Sequence, residues 1–80
     1  MTNTVNEEDK MMPLAVADRG VEYEIRKIGG NNEVRQHLAD LGFVAGGKVS
    51  VINEVNGNLI VNVKESRVAI GKELALRIMI

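Results

Sequence analysis

Lys48–Val63 reads KVSVINEVNGNLIVNV, and this stretch decides the fold. Asn56-Gly57 at its centre indicates a two-residue hairpin turn, because both residues tolerate the positive φ that such a turn requires. Apolar and polar residues alternate on both sides of the turn, as is typical of strands with one buried face. We expect a phase slip within Ile52–Val55 of the first strand, whereas Leu59, Val61 and Val63 share one face of the second.

Further short strands are predicted on either side of this hairpin. Val21–Arg26 alternates strictly between apolar and charged residues, and Ile28 breaks the phase, which predicts a bulge or the end of the strand. Ser66–Ile70 forms another short strand, and Gly71–Ala75 one helical turn. Leu76, Ile78 and Ile80 are expected to close the sheet.

One helix of about ten residues is predicted between the first strand and the hairpin. Asn32 is the expected N-cap residue. Val34, Leu38 and Leu41 fall at i, i+4 and i+7 and would face a core. Gly42 suits the left-handed conformation that ends many helices.

These elements predict a mainly β fold, a small SH3-like, partly open barrel of about five short strands with one short α-helix. Strands this short are not stable as isolated hairpins, and closing them into a barrel hides their edges. Residues 1–12 are polar and acidic for most of their length and are expected to form a disordered leader. Residues 13–80 would then form one domain, since 80 residues leave no room for a second core.

Composition excludes several classes of function. The net charge of −1 argues against nucleic acid as a partner, because phosphate contacts require a basic excess. No apolar run approaches the roughly 20 residues that cross a bilayer, so no direct membrane insertion is expected. The acidic N-terminal residues are the opposite of a signal peptide, which favours the cytoplasm.

No catalytic constellation and no cofactor motif is present in the sequence. The chain has no cysteine, and the Gly pairs at 29–30 and 46–47 lack the Lys-Ser/Thr of a phosphate-binding loop. Glu33 and His37 lie four apart and would share a helix face, which raises the alternative of a metal site. Two ligands make a poor cage for Fe(II), so a solvated helix face is the better interpretation and no metal site is predicted.

Two surfaces are candidates for binding a partner protein. Leu38, Leu41, Phe43 and Val44 surround the helix C-terminus, and the last two lie in a turn where full burial is difficult. Exposed together they would form a docking patch, and the alternative is that all four complete the barrel core. The second candidate is the hairpin tip, Asn56-Gly57-Asn58, although turn chemistry alone explains these residues.

The order of these elements resembles the FeoA family of ferrous-iron-uptake accessory proteins. The matching features are a Leu segment ending in a Gly turn, a strand, a Gly-rich break, a helix ending in Leu-Gly, a hairpin and an Ile-x-apolar end. They are Leu14 and Gly20, Val21–Ile28, Gly29-Gly30, Leu38 with Leu41-Gly42, Val44-Ala45-Gly46, Ser66–Ile70, Ala75 and Ile78–Ile80.

The resemblance implies a cytoplasmic protein that binds FeoB, a membrane iron transporter with a GTPase domain, and modulates it by protein–protein contact. Recruitment to the inner face of the membrane would then come through that partner. An alternative is a regulatory domain related to the SH3-like domains of iron-dependent transcriptional repressors. A third is an RNA- or ribosome-associated SH3-like barrel, which the acidic balance disfavours.

Overall fold

The computed structural model of the chain describes residues 11–80, and the secondary structure of that part is mainly β. Two helices, α1 and α2, and a 3-10 helix join six strands. In chain order these are the 3-10 helix Leu14–Val16, β1 Glu22–Glu24, β2 Lys27–Ile28, α1 Asn32–Leu41, β3 Lys48–Val55, β4 Asn58–Val63, β5 Ser66–Gly71, α2 Lys72–Ala75 and β6 Ile78–Met79.

The central hairpin forms where the sequence predicts it. β3 and β4 are antiparallel, Val55 lies opposite Asn58, and Asn56 and Gly57 have φ of 52° and 81°. Two consecutive positive φ angles are the geometry that suits the twist of a two-residue hairpin. The register shifts between Val51 and Asn53, which confirms the predicted phase slip as a bulge.

A second tight hairpin joins β4 to β5 through Lys64 and Glu65. Their φ angles are 49° and 63°, and Val63 lies opposite Ser66. This turn therefore has the same positive-φ geometry as Asn56-Gly57, but it is made by residues without the usual preference for it.

The predicted strand at Val21–Arg26 is divided between two sheets. β1 pairs with β3 in a four-stranded antiparallel sheet of order β1-β3-β4-β5, and β2 pairs with β6. The backbone of Ile25 bonds to Gly46 and Gly47, and the Arg26 N–H then donates to the Met79 carbonyl at 2.8 Å. The chain thus passes from one sheet to the other at Ile25 and Arg26. Because the predicted strand is divided there, the described part has six strands rather than about five. The predicted fold class, a mainly β SH3-like barrel, is unchanged.

Helix α1 begins one residue earlier than the sequence predicts. The N-cap is Asn31, whose side chain accepts a hydrogen bond from the Val34 N–H at 2.9 Å, and Asn32 is the first helical residue. The prediction of Asn32 as the cap was wrong. Asn31 and Asn32 are both asparagines, a preferred N-cap residue, so residue type alone does not distinguish them. Gly42 ends the helix at φ 110°, as predicted.

The core is apolar and includes residues from both sheets and helix α1, together with Leu14 of the 3-10 helix, Ala75 of α2 and Ile80. None of the polar or charged residues of 11–80 is buried. The buried side chains are Leu14, Ile25, Leu38, Phe43, Val49, Val51, Leu59, Val61, Val63, Ile70, Ala75, Ile78 and Ile80.

The C-terminal residues only partly follow the prediction. Ile78 and Ile80 are buried, but Leu76 is 53% exposed. It lies at the end of α2, where its N–H still bonds to the Lys72 carbonyl, so helical geometry interrupts the expected strand alternation. Ile80 exchanges two backbone hydrogen bonds with Met12, which ties that last residue of the predicted leader to the barrel. Residues 1–10 of the leader lie outside the described residues.

Candidate partner-binding surfaces

The four apolar residues around the end of α1 do not form one exposed patch. Leu38 and Phe43 are buried in the core, Leu41 is half-buried, and Val44 is 36% exposed. The expectation that Phe43 would be difficult to bury was therefore wrong. The alternative, that these residues complete the barrel core, is correct for Leu38 and Phe43. Only Leu41 and Val44 remain available to a partner.

The backbone at the helix end explains the burial of Phe43. The Gly42 N–H donates to the Ala39 carbonyl at 2.9 Å, and the Phe43 N–H donates to the Leu38 carbonyl at 2.9 Å. This pair of bonds is the Schellman motif, which brings the residue after the glycine against the third residue before the helix end. Phe43 and Leu38 accordingly belong to the same buried cluster.

Val44 borders a surface groove between helix α1 and strand β2. Ala39 and Ala45 also line this groove, with Ile28 of β2. Lys27 and Arg35 are among its polar residues. The exposed part of the predicted patch is thus joined by basic residues that are distant from it in sequence, which is why sequence reasoning missed them.

The hairpin tip is exposed, as expected for a turn. Asn56, Gly57 and Asn58 are all at the surface. Asn56 and Gly57 have the positive φ that this turn requires, and a Cβ placed on Gly57 would meet no atom within 4 Å. The tip is open to contact, and its residue types are accounted for by its geometry.

Glu33 and His37 lie on an exposed face of α1. Among residues 11–80, no cluster of three or more His, Cys, Asp or Glu side chains is arranged to hold a metal ion. No third His, Cys, Asp or Glu of the described residues therefore joins this pair in an arrangement that could hold Fe(II).

One ion pair fastens helix α2 to the central hairpin. The Lys72 Nζ lies 2.9 Å from Oε2 of Glu54, at the far end of β3. The hydrogen bond from Lys72 and its positive charge lower the pKa of the Glu54 carboxyl. Both side chains are partly open to solvent, so the pair is a surface contact rather than a buried site.

Within residues 11–80, neither helix has the length and apolar character that a bilayer-spanning segment needs. The longer of the two, α1, has ten residues.

Comparison with known proteins places these features in a family. The FeoA domain model matches residues 12–80 of the chain. A Methanocaldococcus jannaschii protein, to which the name Fe(2+) transport protein A is provisionally given, is 40% identical over 70 residues, which cover 88% of this chain and 85% of that protein.

Solved structures agree with the family match. The crystal structure of an iron uptake regulatory protein, FeoA, has a TM-score of 0.80 at 33% identity and covers 86% of this chain and 92% of its own. A manganese-dependent transcriptional repressor matches with a TM-score of 0.78 at 18% identity, over 89% of this chain and 41% of the repressor. At that identity the likeness to the repressor shows the fold alone, and it confirms the predicted SH3-like class. By the family model and its close relatives, this chain belongs to the FeoA family, the ferrous iron transport A proteins.

Proposed function

We propose that this protein is a cytoplasmic accessory of ferrous iron uptake that binds a FeoB-type transporter and modulates it by protein–protein contact. The observation that carries the proposal is the FeoA match over residues 12–80, which leaves almost no described residue outside the family domain. The name of the relative from M. jannaschii, an Fe(2+) transport protein, points to the same process.

The distribution of polar groups supports a binding role. FeoA proteins are transport accessories rather than a known enzyme family. All polar and charged residues of 11–80 are at least partly exposed, around a wholly apolar core. The chemistry of this part of the chain is therefore surface chemistry, which suits recognition of another protein.

Modulation of a transporter by a bound protein has a simple thermodynamic requirement. An accessory that binds two states of its partner equally well leaves their populations unchanged. A FeoA protein that stimulates transport must therefore bind one nucleotide state or one conformation of FeoB more tightly than the other. We expect its affinity for FeoB to differ between the GTP-bound and GDP-bound forms.

A pull-down with detergent-solubilised FeoB tests the proposal directly. We expect retention of the transporter on the immobilised protein, and restored growth in iron-limited medium when the chain is returned to a strain that lacks its own FeoA. Failure to bind FeoB at high micromolar concentration in either nucleotide state would contradict the proposal.

The second candidate is a regulatory domain acting with a metal-dependent repressor. This candidate shares its fold with the manganese-dependent repressor, and at 18% identity that likeness concerns the fold alone. Binding to a purified repressor, with no binding to FeoB, would support this candidate over the first.

A further inference from the structure

We infer that the groove between helix α1 and strand β2 binds an acidic segment of the partner that also carries an apolar anchor. This inference rests on the proposed function, because it names the chemistry of the FeoB segment that docks. It is drawn from the two faces of helix α1, the charges along the groove and the small side chains in it.

Helix α1 has one face for the core and another for the groove. Its core face carries Leu38, which is fully buried, with Val34 beside it. Its groove face carries Arg35 and Ala39, four residues apart and both exposed. Residues four apart lie on one side of a helix, so the second face is a continuous surface.

The charges along the groove have one sign. Arg26, Lys27 and Arg35 line it, and none of the described residues that line it is an Asp or Glu. Gln36, which also lines it, donates to the Asp40 carboxylate at 2.9 Å, which satisfies part of that carboxylate's hydrogen-bonding capacity. Lys27 and Arg35 on a groove without a lining carboxylate are notable in a chain of net charge −1, and they favour an anionic occupant.

Part of the groove lining is apolar, and two of the side chains in that part are small. Ala39 and Ala45 leave space between the helix and the turn, and Val44 and Ile28 present aliphatic surface beside it. Val44 is 36% exposed, so an apolar group placed there would remove hydrocarbon surface from water. The occupant therefore needs an aliphatic or aromatic anchor as well as carboxylates.

The basic surface continues past Lys27 to the other side of strand β2. Lys27 also borders a neighbouring depression that is lined by Met11, Leu76, Met79 and Arg77. Leu76 is 53% exposed there. A peptide several residues long can thus meet alternating cations and apolar side chains, which suits an acidic amphipathic segment better than a single small anion.

A lipid surface and a nucleic acid fit these observations less well. The residues that line the groove include no Trp, Phe or Leu, the side chains with which an interfacial helix enters a bilayer. No aromatic residue lines the groove to stack on bases.

The inference is tested with two groove variants and one matched control. Arg35→Glu reverses a groove charge. Ala39→Glu replaces a small lining side chain with a larger one and adds a negative charge at an exposed position of the helix. Arg67→Glu makes the same charge change as the first variant at an exposed position of β5, which does not line the groove. Thermal melting of all three checks that each variant is folded.

Binding to FeoB is measured for the wild type and the variants with the transporter in phosphatidylcholine nanodiscs, so that no lipid carries net charge. We expect each groove variant to bind at least about tenfold more weakly, and Arg67→Glu to bind within about twofold of the wild type. The wild-type affinity should also fall as salt rises, and that of Arg35→Glu should fall less.

The outcomes separate the groove from the proposed function. If the wild type and both groove variants bind FeoB equally well, the groove inference is overturned and the proposed function stands. If the wild type does not bind FeoB, the proposed function fails, and the groove inference fails with it. Unchanged FeoB binding, together with loss of binding to phosphatidylglycerol vesicles in Arg35→Glu, would assign the groove to lipid and overturn the inference.

Discussion

The backbone N–H of Phe43 donates to the Leu38 carbonyl at 2.9 Å, and the two side chains are buried together. Phe43→Ala should therefore lower the free energy of unfolding by about 3–5 kcal/mol, the range for truncating a buried phenylalanine. Because small domains have only about 5–15 kcal/mol of stability, this loss should be plain in urea denaturation.

Val44→Ala is the control for Phe43→Ala, because Val44 is 36% exposed and lies next to it in the chain. We expect this change to reduce stability by no more than about 1 kcal/mol, since less hydrocarbon is removed from a less buried site. Similar losses for the two variants would contradict the burial of Phe43. The same Val44 variant should weaken FeoB binding if the groove is the docking site.

The sequence predicted the helix end but not its consequence. Gly42 is the predicted terminating residue, and the residue that follows such a glycine is commonly apolar and packs on the last helical turn. Phe43 is instead expected in a turn where full burial is difficult. The sequence pattern does not show the local geometry that decides the burial of Phe43. The hydrogen bond of 2.9 Å from the Phe43 N–H to the Leu38 carbonyl turns the chain back toward the core.

The N-cap of α1 gives a second test. Asn31→Ala removes the side-chain oxygen that accepts from the Val34 N–H at 2.9 Å. We expect a loss of about 1 kcal/mol, typical of a lost cap, measured by thermal or urea unfolding. Asn32→Ala, one residue further on, should change stability by a few tenths of a kcal/mol, because Asn32 is already helical. A larger loss of stability in Asn32→Ala than in Asn31→Ala would indicate that Asn32 is the cap after all.

The ion pair of Glu54 and Lys72 predicts a dependence of stability on pH. The pKa of Glu54 is lowered in the folded protein, mainly by the hydrogen bond and charge of Lys72. A carboxyl with a lowered folded pKa contributes stability above its unfolded pKa and loses it as the pH falls through the folded pKa. We therefore expect this contribution to disappear on the acid side of the usual titration range of glutamate.

Lys72→Gln removes the charge on Lys72 while keeping a long polar side chain. The pKa of Glu54, followed by the side-chain carboxyl carbon in an NMR titration, should rise toward its ordinary value in this variant. An unchanged Glu54 titration would show that the 2.9 Å contact does not persist in solution. Raising the salt concentration in the wild type should move the pKa in the same direction, because both groups are partly exposed.

The groove lay beyond sequence reasoning for a topological reason. Lys27 lies between the predicted strand at Val21–Arg26 and the break in its phase at Ile28, and Arg35 lies eight positions later on a helix. They line one groove because β2 leaves the larger sheet to pair with β6, beside α1. The alternation pattern predicts that a strand exists, but not which of two sheets it joins.

The hairpins were predictable to different degrees. Asn56-Gly57 has residue types that favour positive φ, so its position and geometry follow from the sequence. Lys64 and Glu65 have no such preference, yet the pairing of Val63 with Ser66 leaves them as a two-residue turn. Strand register and core burial impose that conformation on them.

This difference between the two hairpins leads to the last prediction. Glu65 has φ 63°, a conformation that is unfavourable for residues with a Cβ by about 1–2 kcal/mol. Glu65→Gly removes that penalty but increases the entropy of the unfolded chain, so we expect a net gain of about 0.5–1 kcal/mol. In a domain of this size the melting temperature should rise by about 2–8 °C.

Gly57→Ala makes the opposite change at the corresponding position of the central hairpin. Gly57 has φ 81°, and an added Cβ would meet no atom within 4 Å, so only the backbone conformation opposes the substitution. We expect a loss of about 1 kcal/mol, because alanine lacks the freedom of glycine in this region. If Glu65→Gly destabilised the protein while Gly57→Ala did so as expected, the Glu65 side chain would have to make a stabilising contact that outweighs its backbone strain.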